Sequence, residues 1–584
     1  MTDERGTDRA LDAGETQAGD LSASPLSASD RTVARNSTLM ASGTIVSRIT
    51  GIARDIALTA ALGFYLVSDA YSLGNSLPNI VYILVIGGAL NAVFVPQLVR
   101  RMKDDADEGK AYADRLLTLT ATSLLVLATT AVIAAPWIVD LYTPGDYPAN
   151  EHDLAVAFAR LCLPQIFFYG LYTMLSQVLN ARGRFGAPMF APIANNVVAI
   201  ATFVLFILVA GTSAAADGVL TTDQVLILGV GTTLGVVAQA LILIPVLMRS
   251  GYAWRPRFDW RDAGLGKAAK LAAWTIGLVL VNQITYIFIT RMATQANVNA
   301  ASAGLVEAGL TTYQKAHLVF MLPHSVITIS VVTAMLPALS RIAHAGRLRQ
   351  VGQDIGRTMR FVSMLVIPIA AILIVNGTAV SILLFGYGAA TGQQAGIMGI
   401  VVSVFMIGLP PFTLFYVLLR GYYALEDTRT PFWITVVFSV LLLALAFPLF
   451  LATGAGGTQI AALALAYSIA YWIGLVIAWV LLARRLGTLD SGRTVWMLVR
   501  ALVAGGLAVA AMGAIYALVL TNQPSASDIT WHVRLVLLGT VALSSVIGLI
   551  VFGVAAWAFR IREVSDVVSL ARGATRRLAR GGRR

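Results

Sequence analysis

Charged residues are scarce in this sequence of 584 residues: Asp, Glu, Lys and Arg together make up 12%, whereas 57% of the residues are hydrophobic. The mean hydropathy of +0.77 lies outside the range of soluble multidomain chains. Apolar runs of about 20 residues, long enough to cross a bilayer, recur along most of the chain. The sequence therefore predicts one all-α polytopic membrane domain rather than about four soluble domains of roughly 150 residues each.

Cysteine and the motifs of enzyme chemistry are also lacking. The single cysteine, Cys162, lies in an apolar stretch, which excludes a disulfide framework and a cysteine-based metal site. The sequence contains no Walker lysine loop, HExxH motif or Ser–His–Asp order, so neither ATP use nor hydrolysis is indicated. His317 and His324 are seven residues apart but have no third ligand for zinc. We therefore predict a protein that is not an enzyme and has no cofactor, and the residues leave any bound metal unknown.

Positive charge is what the sequence does have, and it is distributed unevenly. We predict fourteen helices, at about residues 37–62, 76–99, 116–143, 154–181, 187–212, 224–248, 268–293, 304–340, 357–385, 394–424, 430–452, 459–483, 496–520 and 531–559. Seven segments hold 32 of the 42 Lys and Arg residues, namely 100–115, 182–184, 249–270, 341–360, 420–429, 484–500 and 560–584. The alternate connections hold none, namely 63–75, 144–153, 213–223, 294–303, 386–393, 453–458 and 521–530. Because Lys and Arg are retained on the cytoplasmic side, both termini are predicted to be cytoplasmic.

A sequence repeat relates the two halves of the chain. Residues 95–100 resemble residues 336–341 at an interval of 241, and two further matches have an interval of 243, namely Tyr142 with Phe385 and Ala181 with Ala424. Six predicted helices separate the partners, and an even number preserves the orientation in the membrane. We therefore predict two parallel six-helix lobes around a central cavity, followed by two additional helices.

The predicted organisation has five parts. A disordered cytoplasmic tail, residues 1–35, contains no apolar segment of the kind found in signal peptides. The N-terminal lobe covers residues 36–250 and the C-terminal lobe covers residues 251–486. Residues 487–560 form the last two helices, and residues 561–584 form a basic cytoplasmic tail that suits an anionic inner leaflet.

Six basic residues lie within or near the predicted helices, where a central cation costs about 2.5–3.5 kcal/mol and normally faces a wet cavity or a partner. They are Arg48, Arg54, Arg160, Arg291, Lys315 and Arg534. Arg48 and Asp55 are two turns apart on one stripe of the first helix, and Asp69 is expected at the outer mouth, where it could pair with the arginines. These residues predict a cationic cavity for an anion, and the guanidinium group suits phosphate. Snorkelling or structural ion pairing stays an alternative for each of them, above all for Arg534.

Several segments together resemble one family of bacterial membrane proteins. They are Ser47-Arg48-Ile49-Thr50-Gly51-Ile52-Ala53-Arg54-Asp55, Ser68-Asp69-Ala70-Tyr71, Leu77-Pro78-Asn79, Phe94-Val95-Pro96, Arg182-Gly183-Arg184-Phe185-Gly186-Ala187-Pro188, Leu336-Pro337-Ala338-Leu339-Ser340 and residues 423–431. In order and spacing they resemble the MurJ (MviN) lipid II flippases of the multidrug/oligosaccharidyl-lipid/polysaccharide exporter superfamily, most of all the actinobacterial variants. The resemblance covers about residues 37–560.

The resemblance implies a V-shaped carrier that moves undecaprenyl-pyrophosphate-linked disaccharide pentapeptide, lipid II, from the inner to the outer leaflet by alternating access. Residue by residue, it places Ser47, Arg48, Arg54, Asp55 and Asp69 at family positions that line the central cavity. Arg160, Arg291 and Lys315 complete the predicted binding site. The family's arginine on the eighth helix has no exact match here, and Lys315 is the nearest cation, two residues out of register. Two departures are Tyr82, where the family commonly has another cavity arginine, and Gly87-Gly88, where it usually has Glu-Gly.

Because no ATP motif is present, we expect transport to be driven by an ion gradient or the membrane potential, with an unidentified coupling ion. We expect a multi-pass protein of the bacterial plasma membrane with a role in peptidoglycan biosynthesis and cell shape. The expected partners are lipid II or a related polyprenyl-pyrophosphate glycan, membrane lipids and cell-wall synthesis proteins, with no nucleic acid. The alternatives are an exporter of another polyprenyl-linked glycan or a drug, and a non-transporting scaffold of the cell-wall machinery. Exterior loops of about a dozen residues disfavour a membrane glycosyltransferase.

Overall fold

A computed structural model describes residues 28–86, 107, 109–259, 265–519 and 530–564, and the regular elements in these ranges are all helices. In chain order they are α1 (Ala28–Leu62), α2 (Leu66–Ile86), α3 (Lys110–Ile133), α4 (Ala135–Tyr142), α5 (Ala149–Cys162), α6 (Gln165–Ala181), α7 (Gly186–Ala210), α8 (Thr222–Leu241), α9 (Leu243–Arg249), α10 (Leu265–Ser302), α11 (Leu310–Pro323), a π-helical turn (His324–Thr328), α12 (Ile329–His344), α13 (Leu348–Phe385), α14 (Gly392–Ile407), α15 (Leu409–Ala424), α16 (Arg429–Ala452), α17 (Gly457–Leu486), α18 (Ser491–Val519) and α19 (Trp531–Ala558).

Most of these helices have the length and the apolar composition of membrane-spanning helices. Eleven helical segments in the described ranges are long and apolar enough, and the pair α14–α15, bent by 47° around Gly408, makes twelve. The chain is therefore an all-α, multi-pass membrane protein. The helices α1 and α2 lie outside these twelve and carry charged residues of the predicted site, so the count of fourteen spans stays a prediction.

Two predicted exterior loops are wrong. The charge pattern predicts a loop over 63–75, but α2 begins at Leu66 and leaves only a short turn, in which Gly63 has a φ of +60°. It also predicts a loop over 294–303, but α10 continues to Ser302 and the connection is 303–309. Polar residues such as Ser68 and Asn297 are buried against other helices here. The prediction assumes that polar segments are loops exposed to water, and it therefore misplaces the ends of these two helices.

The predicted disordered N-terminal tail overlaps the first helix. The helix α1 begins at Ala28, so residues 28–35 are helical, although the composition predicts a disordered tail that includes them. Residues 1–27 lie outside the described residues, as does the C-terminal tail from residue 565 onwards.

Helix ends follow the interval of the sequence repeat. The helices α4 and α13 end at Tyr142 and Phe385, and α6 and α15 end at Ala181 and Ala424, so both pairs are 243 residues apart. The counterpart at Pro96 lies outside the described residues. In the N-terminal half, α7 packs on α1 and α8, while in the C-terminal half α13 packs on α14 and α16 packs on α17. The last two helices, α18 and α19, pack on each other and on α13.

Candidate functional site

Asp55 of α1 is the centre of a buried charge cluster. The residue is only 5% exposed, and its carboxylate accepts hydrogen bonds from two cations. Arg54 Nη2 donates to Asp55 Oδ2 at 3.3 Å, and Lys315 Nζ of α11 donates to Asp55 Oδ1. Because α1 belongs to the N-terminal half and α11 to the C-terminal half, this ion pair joins the two halves of the protein.

Asn196 holds the arginine side of the cluster in place. Its Oδ1 lies 3.4 Å from Arg54 Nη1, so the amide accepts a long hydrogen bond from the guanidinium group. Its Nδ2 donates to the Ser47 carbonyl at 3.1 Å and to Thr50 Oγ1 at 2.9 Å. One amide on α7 therefore fixes α1 and one of its arginines, and Ser47 takes part through its backbone.

Arg48 makes a second connection between the halves. It lies about two helical turns before Asp55, and its Nη1 donates to Ser325 Oγ in the π-helical turn. Ser325 Oγ in turn donates to the Leu322 carbonyl at 2.8 Å. Arg48 thus reaches from the N-terminal half to the C-terminal half, whereas Lys315 reaches in the opposite direction.

A cavity of about 180 Å³ adjoins Asp55. Its lining includes Arg54, Asp55 and Lys315 together with the polar side chains of Asn75, Ser76, Tyr169, Asn195, Thr232 and Gln314. At about 30 Å³ for each water, this space suits a few waters or one phosphate group rather than a whole glycopeptide headgroup. Two cations face one carboxylate, so an anion with oxygen acceptors is the ligand that the cavity stabilises.

The two halves also meet at Asp69, at the end of the domain where α2 and α11 begin and which the charge pattern predicts to be the outer end. This residue is 1% exposed and accepts hydrogen bonds from the Leu310 N–H at 2.9 Å, the Thr311 N–H at 2.7 Å and Asn297 Nδ2 at 2.8 Å. The first N–H groups of a helix have no partner within the helix and attract negative charge, so Asp69 caps α11. A Cβ atom at Gly309 would lie 2.1 Å from Asp69 Oδ2, which explains glycine there. The expected pairing of Asp69 with Arg48 and Arg54 does not occur in this structure, because Asp69 faces the start of α11.

A second hydrogen bond at this end has its donor in the N-terminal half and its acceptor in the C-terminal half. Glu307, just before α11, accepts a hydrogen bond from the Leu66 N–H at the start of α2, at 2.8 Å. Burial raises the pKa of Glu307 above its ordinary value, the nearby Glu151 raises it further, and the Leu66 N–H acts in the opposite direction. Ser68 Oγ donates to Thr311 Oγ1 at 3.2 Å, and these two residues are 243 positions apart, so equivalent points of the repeat touch. Together with the contacts of Asp69, these bonds hold the predicted outer ends of the two halves against each other.

Arg48 and Asp69 are not part of the cavity lining, and two further predicted residues lie away from the cluster. Arg160 is exposed on α5 and does not line the cavity. Arg291 Nη1 donates to the carbonyls of Asp140 at 3.1 Å and Leu141 at 3.2 Å, in the last turn of α4. Cations are favourable at a helix C-terminus, where carbonyl groups lack partners, so Arg291 binds a helix end instead of the cavity.

The other sequence features have ordinary structural partners. Tyr82 Oη lies 2.6 Å from Thr173 Oγ1, so a neutral hydrogen bond between α2 and α6 stands where the family commonly has an arginine. The second departure, Gly87-Gly88, lies outside the described residues. His317 and His324 pack among aromatic rings, and Arg534 lies over the ring of Tyr387 at 3.9 Å.

Sequence reasoning missed Asn196, Tyr169 and Gln314. A signal existed for the first, because Asn195-Asn196 interrupts the otherwise apolar helix α7. Within the described ranges, no three His, Cys, Asp or Glu residues are grouped as metal ligands.

The fold and the site together define a class of protein. An all-helical membrane domain with a repeated architecture, a charged cavity at the boundary between its halves and ion pairs across that boundary is the design of a membrane transporter.

Comparison with known proteins identifies the family. The family model described as "Lipid II flippase MurJ" matches residues 58–559. A protein of Rhizobium meliloti (strain 1021), described as a probable lipid II flippase MurJ, is 30% identical over 429 residues, which cover 72% of this chain and 76% of the relative. The lipid II flippase MurJ of Burkholderia cenocepacia is 28% identical over 402 residues, covering 67% and 73%. The chain belongs to the MurJ lipid II flippase family, and its members are transporters rather than enzymes.

Solved structures share the fold. A lipid II flippase MurJ in an inward closed conformation matches with a TM-score of 0.68 and 20% identity, covering 89% of this chain and 98% of that protein. An inward-facing multidrug resistance MATE family transporter of the MOP superfamily matches with a TM-score of 0.56 and 16% identity, covering 76% and 96%. At these identities the likeness shows the fold alone.

Proposed function

We propose that this protein moves lipid II from the inner to the outer leaflet by alternating access. The observation that carries the proposal is the position of Asp55, which binds Arg54 of one half and Lys315 of the other. The diphosphate of lipid II offers oxygen acceptors for both cations. Family membership supplies the identity of the cargo, and the cluster supplies a physical means of sensing it.

Cargo binding should loosen the connection between the halves. One phosphate group of the diphosphate that enters the cavity competes with Asp55 for Arg54 and Lys315, and it also repels the carboxylate. Arg48 adds a further guanidinium donor within two turns of the same helix. Once Lys315 is released from Asp55, the interaction between α11 and α1 is weaker. The hydrogen bonds of Asp69 with the start of α11 can then break. Only the polar headgroup needs this route, because the polyprenyl chain is compatible with the bilayer interior throughout.

The proposed driving force is an ion gradient or the membrane potential, because the sequence lacks an ATP-binding motif. Moving one elementary charge through 100 mV is worth about 2.3 kcal/mol. An anionic headgroup that leaves the inner leaflet moves toward the positive outer side, so the potential assists the step. We also expect cell-wall synthesis proteins as partners, since they use the delivered precursor.

A leaflet assay tests the proposal. In cells depleted of their own flippase, the full-length chain should restore outer-leaflet lipid II, measured with an added membrane-impermeant enzyme that cleaves it. Arg54→Ala should abolish this restoration, whereas Arg534→Lys, which changes a cation outside the cavity lining, should not. Failure of the wild-type chain to move lipid II despite normal insertion would favour export of another glycan. Rescue of growth by an Arg54→Ala protein that does not transport would favour a scaffold.

We further propose a plasma-membrane location with both termini in the cytoplasm. The native Cys162 is buried, so engineered thiols can be labelled with little background. Cysteines at the exposed positions Ala216 and Gly454 should react with a membrane-impermeant maleimide from outside, whereas one at the exposed Ala345 should not. Labelling of Ala345→Cys in intact cells would overturn the topology.

A further inference from the structure

A second cavity lies outside the charge cluster, between the first turns of α18 and the end of α19. Its volume is about 290 Å³. Four arginines, Arg493, Arg500, Arg560 and Arg562, line it with Trp496, and among the residues that the structure describes Glu563 is the one acidic residue in its lining. The lining therefore carries a net positive charge, and no step of the proposed transport uses it.

An ion-pair network builds the floor of this cavity. Glu563 is buried, and its Oε1 lies 3.0 Å from Arg360 Nε and 3.2 Å from Arg493 Nη2. Arg360 of α13 is also buried, and its Nη1 donates to Asp490 Oδ2 at 2.9 Å and to Thr494 Oγ1 at 2.8 Å. The network fastens α13, α18 and the chain after α19 together, so the cavity has a fixed base.

Arg560 occupies a backbone position that normally favours glycine. The Ile561 N–H donates to the Ala556 carbonyl at 3.0 Å and the Arg560 N–H donates to the Trp557 carbonyl at 2.9 Å, which together form a Schellman motif at the end of α19. Arg560 has a φ of +54°, the left-handed conformation in which a side chain is strained. An arginine at this position suggests that its side chain has a use that offsets the strain. Arg500 is also oriented, since its guanidinium group lies 4.8 Å from the centre of the Trp496 ring.

Exposed tryptophans indicate the depth of the cavity in the bilayer. Trp557 and Trp531 lie near opposite ends of α19 and are 77% and 76% exposed. At about 1.5 Å per residue they are roughly 39 Å apart, close to the roughly 40–45 Å thickness of a bilayer with its headgroups. Tryptophan is enriched at both interfaces. Because Trp496 and Trp557 are at the same end as the cavity, its arginines lie at the level of lipid headgroups.

We propose that this cavity binds the phosphate headgroup of an inner-leaflet lipid. Its guanidinium groups can donate paired hydrogen bonds to phosphate oxygens, which favours a dianionic phosphate. Basic pockets between transmembrane helices on the cytoplasmic side are known to receive acidic headgroups. Free phosphate has the same chemistry, but the interfacial depth and the tryptophan at the rim favour a lipid. The proposal uses the proposed topology to name the leaflet and is independent of the transported cargo.

Native mass spectrometry of the purified full-length protein tests the proposal, with phosphatidic acid as the probe and phosphatidylcholine as the neutral lipid. Arg500→Gln combined with Arg560→Gln should weaken phosphatidic acid binding by about tenfold, as expected for the loss of charge-assisted hydrogen bonds. The matched control, Arg347→Gln combined with Arg349→Gln, removes two exposed arginines from the turn at α12–α13 and should leave binding unchanged. Equal loss in both double variants would overturn the proposal in favour of a general surface charge. Undiminished binding in Arg500→Gln/Arg560→Gln would overturn it as well.

Two further experiments complete the test. The first separates a binding role of Arg560 from a structural role, and the second separates a lipid ligand from a free phosphate ion. Arg560→Gly relieves the left-handed backbone, so it should raise the melting temperature while weakening phosphatidic acid binding. A higher melting temperature with unchanged binding would show that the Arg560 side chain does not contact the headgroup. Inorganic phosphate should not displace phosphatidic acid, and displacement at equal concentration would assign the cavity to a soluble anion and overturn the lipid proposal.

Discussion

Two buried carboxylates on neighbouring helices, Asp55 and Asp69, both hold α11, but they do so with different partners. Asp55 binds the side chains of Arg54 and Lys315. Asp69 binds two backbone N–H groups at the start of α11 and the amide of Asn297.

The kind of partner, side chain or backbone, determines which of the two carboxylates can respond to a ligand. The partners of Asp55 are flexible cationic side chains, which another anion can take over while α11 stays in place. The partners of Asp69 belong mainly to the backbone of α11, so its bonds break only when the helix moves. We therefore expect variants at Asp55 to disturb cargo binding and variants at Asp69 to disturb closure of the outer end.

The largest effect is expected from breaking the pair of Asp55 and Lys315. Removing one partner of a buried ion pair typically destabilises a protein by about 3–5 kcal/mol. Asp55→Asn and Lys315→Met should each lower the melting temperature and abolish transport in the leaflet assay. The double variant should recover part of the melting temperature, since Arg54 still lacks its carboxylate partner, but it should not recover transport. Transport by the double variant would show that the pair serves stability alone.

The next largest effect is expected from changing the shape of the cation at Arg48 while keeping its charge. Arg48→Lys keeps the charge but removes the planar fork, so it should be impaired nearly as much as Arg48→Ala if phosphate recognition matters. Outer-leaflet lipid II, normalised to the amount of inserted protein, is the measurement. Full activity of Arg48→Lys would mean that a positive potential is sufficient, and normal activity of Arg48→Ala would remove Arg48 from the site.

A smaller, conformational effect is expected at Asp69. Asp69→Asn retains one acceptor oxygen, so at least one of the two N–H groups of α11 loses its partner, at about 1–3 kcal/mol for a buried group. The outer end should open more often. Spin labels at the exposed positions Asn150 and Ala303 should report a new population at longer distance. An unchanged distance distribution would show that Asp69 does not hold the outer end closed.

The smallest effect is expected at Glu307. Substitution there should favour the closed outer end, whereas Asp69→Asn should favour the open one. The pKa of Glu307 is raised by burial, so the closed outer end favours the protonated carboxyl group. Lowering the pH through this pKa should therefore favour the closed state slightly. Glu307→Gln retains an acceptor for the Leu66 N–H, so it should show the same slight preference at neutral pH and lose the pH dependence. The same pair of labels measures this, and opening in Glu307→Gln would show that the charge itself is required.

The helical fold is largely predictable from the sequence because lipid imposes a simple rule on most of the chain. Lipid-facing helices must be apolar, so the predicted start of α16, for example, is within one residue of the observed start at Arg429. The rule fails where polar residues face protein, and the predicted start of α2 and end of α10 are therefore wrong.

The candidate site is predictable in part for a similar reason. Helical spacing within α1 is sufficient to place Arg48, Arg54 and Asp55 close to one another. Local spacing contains no information on Lys315, which meets Asp55 across 260 positions of sequence. It also cannot show that Arg291 binds the end of α4, because that contact depends on how the two halves are packed.

The matching helix ends at Tyr142 and Phe385, and at Ala181 and Ala424, have an evolutionary consequence. A constant interval between equivalent ends is what tandem duplication of an ancestral six-helix gene leaves behind. After duplication, each copy could diverge without losing the shared scaffold. In this chain the first copy carries the arginines and Asp55, while the second contributes one lysine and a core rich in aromatic rings around Phe405 and Tyr467. The two halves therefore share a scaffold but not a chemistry, because the charged side chains of the cavity come mainly from the first half.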